Sequence, residues 1–349
     1  GSMLGSGIFA LPAAMCAVSG PGMTLAIFLA GIITMFLGLA YAELGAAFPL
    51  TGGPYALPRL AMGDLAGFLM GWGYFLYLFI GTAAIIDIFV VYLGFYFPAL
   101  ANGESLTPLG VTIAVVMLWI FTLINILGVK WGALYSEITT IGKLIPLFLF
   151  GLIGLFYFQG GNFVPYMPFG FTGVTLSITL FFWSYTGFET VVVPAEEVKN
   201  PARNIPLAMI VSVLLAIIVY LLIAGAFVGM INWEMLGLEK GDWQGIGHLT
   251  SPLADVSRSM RLNWLSIIAI IGAIIATGGG SGSWVLIQGR MPFAMAQDRM
   301  FWSELGKVNK RFGTPVAALV FTSFLTTIIL IAIPNFPSVA LIASVTAVV

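Results

Sequence analysis

Long apolar runs constrain this chain more than any other feature. They fall at about 22–48, 65–97, 108–127, 134–158, 173–195, 205–231, 263–289 and 315–333, with a partial run at each end. A helix that crosses a bilayer takes about 20 apolar residues. The pattern therefore predicts eight whole spans flanked by two incomplete ones, ten in chain order. Composition agrees, with 60% apolar and 8% charged residues, against roughly 45–50% and about 25% in soluble domains. A soluble globule is excluded, and the lipid bilayer is the expected solvent. With 13 basic and 14 acidic residues there is no basic surface for nucleic acid. One cysteine, Cys16, cannot close an internal disulfide, and one histidine, His248, cannot build a zinc site with it. No nucleophile, base and orienter group together, so neither an enzyme nor a cofactor is expected. Gly278-Gly279-Gly280-Ser281-Gly282-Ser283 lacks the lysine and preceding strand of a phosphate loop, and reads as close packing in the eighth span.

Charge position sets the orientation. Arg59, Lys130, Lys199, Arg203, Arg290, Arg299, Lys307, Lys310 and Arg311 share one side, against Lys240, Arg258 and Arg261 on the other. Basic residues mark the cytoplasmic face. A multi-pass protein of the cell membrane with a cytoplasmic amino terminus is expected, with 196–204 and 290–314 cytoplasmic and 232–262 external. Five spans per half is an odd number, so halves at 1–158 and 159–349 must have opposite topology. The chain opens on Gly1-Ser2-Met3 without a basic leader and stops within an apolar run. Both ends read as cut, with at least one helix expected to follow.

Opposite halves matter because many secondary transporters are inverted repeats that carry a broken helix at matching places. Gly5-Ser6-Gly7 precedes Ile8-Phe9-Ala10-Leu11-Pro12 in the first helix, and Ser184-Tyr185-Thr186-Gly187 precedes Glu189 and Pro194 in the sixth. Glycine and proline weaken the helical ladder at both points. Small residues also serve close helix packing, but two sites at corresponding positions favour breaks. Ionisable residues within spans are functional candidates. Glu43 and Glu137 lie near cytoplasmic ends and suit structural roles. Asp87, deeper in the third span, fits either a structural hydrogen bond or contact with a cationic ligand. Lys143, bracketed by apolar neighbours in the fifth, and Glu189, just past the second break, are the sharper pair. A charged amine in an apolar core needs carbonyls or hydroxyls around it. Lys143 is thus either a proton-exchanging group or a permanently charged strut.

These segments resemble the amino acid, polyamine and organocation transporter superfamily over nearly the whole chain. Gly5-Ser6-Gly7-Ile8-Phe9 is similar to its first-helix break, and Glu43-Leu44-Gly45 through Phe48-Pro49-Leu50-Thr51-Gly52-Gly53-Pro54-Tyr55 to its second-helix exit. Phe182-Trp183-Ser184-Tyr185-Thr186-Gly187-Phe188-Glu189, with Glu196 to Pro206, is the most specific stretch, and Gly289-Arg290 to Asp298 and Gly313-Thr314-Pro315 complete the set. The resemblance implies an all-α polytopic membrane protein, with a five-plus-five inverted-repeat transporter fold truncated at both ends. It also implies a secondary active amino acid transporter that works by alternating access, sodium-independent, by proton-coupled symport or exchange. The arginine/agmatine-type antiporters add an amine-exchange alternative. They imply a substrate carboxylate on Ser6 and Gly7, and an amine near the carbonyls of Met3, Trp183 and Thr186. Trp183 and Trp284 would cover the site, with Tyr74 and Thr82 beside it, and Lys143 and Glu189 would couple transport to protons. At Lys143 those antiporters carry a small apolar residue, whereas proton-coupled relatives carry lysine. A channel is the rival of a different class. Expected partners are an amino acid or amine, protons and lipid, and a homodimer is compatible with this reading.

Overall fold

In lipid every backbone N–H and C=O must be bonded within the protein, which helices achieve segment by segment, and the computed structural model is accordingly helical. It describes residues 3, 5, 7–50, 52–127, 129–193, 195 and 198–348, and the side chains of these except 129–137, 337, 344, 347 and 348. Ser6, Pro194, Glu196, Glu197 and the side chain of Glu137 lie outside the described residues.

The predicted spans appear in order. Helix α1 (Gly7–Ser19) leads through a short turn into α2 (Met23–Ala47). The loop helix α3 (Gly53–Met62) precedes α4 (Asp64–Gly94), and a two-residue hairpin, β1 (Ala101–Asn102) with β2 (Ser105–Leu106), leads to α5 (Pro108–Leu127) and α6 (Val129–Phe156). Then come α7 (Gly170–Tyr185) with a 3-10 continuation at Phe188–Val192, and α8 (Pro201–Gly229). The short α9 (Trp243–Ile246) and α10 (Pro252–Ser259) fill the next connection, before α11 (Asn263–Gln297), α12 (Val316–Ala332) and α13 (Phe336–Val348). Helix α11 runs about two turns beyond the apolar limit at 289. The apolar count stops at Arg290, but the helix runs on through Pro292 to Gln297, carried by the helix formers Met291, Ala294, Met295, Ala296 and Gln297.

Two groups of helices form around one continuous core. Helices α1, α2, α7 and α8 pack on one another, as do α4, α5, α11 and α12. Helix α6 touches both groups through α8 and α11, and α13 lies on α4. In the first group, Ser177 of α7 donates to Ser19 of α1 at 2.7 Å and to the Met15 carbonyl at 3.2 Å. A polar chain crosses the second group: Thr122 to Ser323 at 2.7 Å, Gln288 to Ser323 at 3.3 Å, and Thr326 to both Gln288 and the Phe79 carbonyl at 3.2 Å. Interhelical hydrogen bonds and small residues are what hold helices together in lipid, so each group is stitched internally.

The glycine run of α11 does what the sequence suggested. A Cβ at Gly278 would meet Phe89 of α4 at 2.9 Å and one at Gly280 would meet Ile85 at 3.6 Å, while Gly279 faces Thr139 of α6. Helix α11 is therefore approached closely from two sides.

Candidate functional site

Helix α7 stops at Tyr185 because the next residues cannot continue it. Thr186 is extended (ψ 154) and Gly187 sits at φ +99, a left-handed backbone that other residues adopt only with strain. The Thr186 hydroxyl turns back to donate to the Trp183 carbonyl at 2.6 Å, the local competition that makes threonine a poor helix interior. Glu189 then closes the gap. One oxygen accepts the Gly187 N–H at 2.9 Å and the other accepts from the Tyr74 hydroxyl at 3.3 Å.

The start of α1 meets this break directly. Helix α1 starts at Gly7, which is packed so tightly on Ser184 that any Cβ would overlap the serine side chain. The Tyr220 hydroxyl of α8 lies 2.6 Å from the Met3 carbonyl and 2.8 Å from the Ser184 carbonyl, and donates to this pair. A single side chain thus ties the backbone ahead of α1 to the end of α7. Its ring is held edge-on by Phe181 and Tyr185 at centroid distances of 5.0 and 5.2 Å. A helix start leaves N–H groups without intrahelical partners and a helix end leaves carbonyls, so the junction offers donors for an anion beside acceptors for a cation.

Across from the junction stands the second group of helices. Trp183 of α7 and Trp284 of α11 lie 6.2 Å apart by centroids, and Tyr77 of α4 packs on them at 6.2 and 5.2 Å. Trp284 reaches this position because α4 has Gly81 beneath it, where a Cβ would lie 2.7 Å from the indole. Beside this aromatic cluster is a cavity of about 210 Å³, whose lining includes Tyr41, Tyr74, Tyr77, Thr186, Phe188 and Glu189. Pockets for drug-sized ligands run to roughly 300–1,000 Å³, so this one suits a single small molecule. Pro54 of α3 also lines it, and α3 is pinned by Arg59 to Asp298 at 2.6 Å and by Tyr55 to Asp298 at 2.9 Å. Burial and that hydrogen bond push the Tyr55 pKa above its ordinary value.

Of the residues singled out in the sequence, Tyr74, Thr186 and Glu189 line the cavity, and Trp183 and Trp284 stand together next to it. Gly7 and Met3 belong to the junction with Ser184 and Tyr220. Thr82 is fully buried and donates to the Leu78 carbonyl of its own helix at 2.8 Å. Glu43 is exposed near the end of α2. Lys143 is 2% exposed and is not an isolated charge. Near it three helices converge, since a Cβ at Gly272 of α11 would touch Pro146 of α6 at 2.5 Å and Phe9 of α1 at 3.4 Å.

Tyr220 was not anticipated. Its only signal is a lone phenol in the middle of an apolar span. Tyr220→Phe keeps the ring contacts and removes the donor shared by two buried carbonyls, a loss of about 1–3 kcal/mol. The expected result is a lower melting temperature in detergent with loosened ligand binding. An unchanged melting temperature would show that the hydroxyl is not a tie.

A bundle of apolar helices, one of them interrupted beside a small cavity, fits a polytopic membrane permease. The sequence profile of the amino acid permease family matches residues 1–349, and the chain belongs to that family. It is 32% identical over 330 residues to an aspartate-proton symporter of Bacillus subtilis (strain 168), covering 91% of this chain and 62% of the relative. It is 30% identical over 335 residues to the branched-chain amino acid permease BcaP of the same organism, covering 92% and 70%. To human cationic amino acid transporter 4 it is 29% identical over 344 residues, covering 93% and 52%. The family and these relatives are transporters, not enzymes. The chain spans about three fifths of the first relative's length.

Proposed function

We propose that this chain forms the transport core of a secondary active amino acid transporter that works by alternating access. Its substrate sits between the breaks at Ser6-Gly7 and Thr186-Gly187, next to Trp183 and Trp284. The observation that carries the reading is the junction itself, where Tyr220 ties the backbone ahead of α1 to the interrupted end of α7, beside a cavity lined from both helix groups. Interrupted helices at membrane depth occur where they line a cavity, and a site between two internally stitched groups is exposed to either side when one rocks on the other.

The halves at 1–158 and 159–349 are read as an inverted repeat. Helix packing supports this. Taking the spans in order, α1 pairs with α7, α2 with α8, α4 with α11 and α5 with α12, each five places apart. The contact of α6 with α11 is likewise matched by that of α13 with α4. Proton coupling without sodium is supported by the buried Lys143, and by a relative named for carrying aspartate with a proton. Glu189 is read as the proton-sensitive or cation-facing residue of the cavity. Exchange of an amino acid for its amine is the alternative coupling mode.

Uptake of labelled amino acids and their decarboxylated amines into liposomes tests the reading. Saturable, trans-stimulated, gradient-driven uptake supports a proton-coupled carrier, and trans-stimulated uptake without gradient drive supports exchange. Non-saturable flux would replace the carrier with a channel. The proposed orientation places 290–314 in the cytoplasm of a cell-membrane protein whose amino terminus is also cytoplasmic. In a Cys16→Ala background, Lys310→Cys is expected to resist an impermeant thiol reagent applied outside intact cells and to react after permeabilisation. Labelling from outside would reverse the topology.

A further inference from the structure

The buried acid of α4 has no role in the site described above. Asp87 is 0% exposed, and among the described residues neither of its carboxylate oxygens has a hydrogen-bond partner. Its neighbours along the helix, Ala83, Ala84, Ile86, Ile88 and Val90, are buried and apolar. The face of α4 that meets α11 is marked by Gly81 against Trp284, Ile85 against Gly280 and Phe89 against Gly278. Asp87 is two residues from both Ile85 and Phe89, about 200° around the helix, and so lies on the side away from α11. Lys143, on α6 beyond α11, is out of its reach.

The other charged and titratable groups described near α4 lie toward its ends. At the carboxyl end Arg258 of α10 stacks on Phe95, eight residues or about 12 Å along from Asp87, and is paired with Asp255 of its own helix at 4.0 Å. Helix α4 is packed by α3, α5, α11, α12, α13 and the hairpin. Helices α5, α12 and α13 carry no charged residue. Arg59 of α3 is paired to Asp64 at the far end of α4, about 35 Å away along the helix. Arg290 of α11 lies beyond Trp284, toward that same end. Glu104 sits in the hairpin turn, past the contact of Gly94 with Ala101 and at least about 10 Å further along the helix. On α4 itself, Tyr74 and Tyr77 face the cavity, and Tyr92 is about 140° round the helix from Asp87.

An ionised carboxylate in such surroundings would lose its hydration without any compensating charge or donor, a cost of several kcal/mol. A hard metal cation would need several oxygen ligands, and among the described residues no group of three or more histidine, cysteine or acidic side chains could hold one. A proton needs only the carboxylate. We propose that Asp87 is an intramembrane proton-binding site, occupied in this conformation and distinct from Lys143 and Glu189. It sits on the helix that also supplies Tyr74 and Tyr77 to the cavity, and it does not depend on the transport reading.

Infrared spectroscopy of the purified chain in lipid bilayers at neutral pH tests this without any transport assay. The expected result is the carbonyl stretch of a protonated carboxylic acid, shifted by deuterium exchange, kept in Glu189→Gln and lost in Asp87→Asn. Asp87→Glu provides a second assignment by moving the band, should the asparagine variant fail to fold. Absence of the band in the wild type would overturn the proposal. So would its survival in Asp87→Asn, or a sodium-sensitive carboxylate band in its place.

Discussion

Gly7→Leu is expected to weaken substrate binding by about 10- to 100-fold while the helices still insert. A Cβ at this position would already overlap the Ser184 side chain and lie 3.1 Å from its Cα, and leucine adds three further carbons to the same gap. Overpacking of a tight contact costs about 1–3 kcal/mol, and each 1.4 kcal/mol or so is tenfold in affinity. The strain would be relieved by moving α1 away from the end of α7, which separates the two carbonyls that Tyr220 holds. Binding of a labelled amino acid to purified protein measures the loss. The collision is chiefly with a side chain, so Gly7→Ala combined with Ser184→Gly should recover part of what Gly7→Ala alone loses, a coupling of the kind double-mutant cycles detect. Full affinity in Gly7→Leu would mean that the junction is only a kink and that the ligand binds elsewhere.

The break at Gly187 was legible because it rests on backbone chemistry, and the one read at Ser6-Gly7 falls partly outside the described residues. Gly187 can take a positive φ and Gly7 has no Cβ, and these properties belong to the residue type wherever it stands. The spans were legible for a similar reason, since lipid demands length and apolarity and little else. What could not be read depends on partners far apart in the chain. Nothing near Tyr220 in sequence shows that its hydroxyl lies between Met3 and Ser184. Thr82 stands beside Gly81, which faces Trp284, yet its hydroxyl bonds its own helix. The alternatives left open for Asp87 were a structural hydrogen bond or a contact with a cationic ligand, and the described residues provide no hydrogen bond. The apolar run stops short of the end of α11 because a helix can carry a charged residue such as Arg290 past the apolar limit without interruption.

Lys143→Ala is expected to abolish accumulation driven by an imposed proton gradient. The side chain is 2% exposed, on α6 close to where Pro146, Phe9 of α1 and Gly272 of α11 converge. Alanine there removes both the charge and the filling of that junction. Two physical roles predict this loss, and arginine separates them. Arginine keeps a permanent positive charge and cannot release its proton in a protein. If the ammonium is a strut that holds α6 to its neighbours, Lys143→Arg retains a large share of gradient-driven uptake and of the thermal stability lost in Lys143→Ala. If the amine exchanges a proton during the cycle, Lys143→Arg stays folded but fails to accumulate substrate against a gradient, while exchange of internal for external substrate continues. Uptake in proteoliposomes with and without a pH gradient, alongside melting temperature, distinguishes the outcomes. Uptake that requires sodium in the wild type would remove both roles, because each has the ammonium stand where a bound cation would otherwise brace the helices.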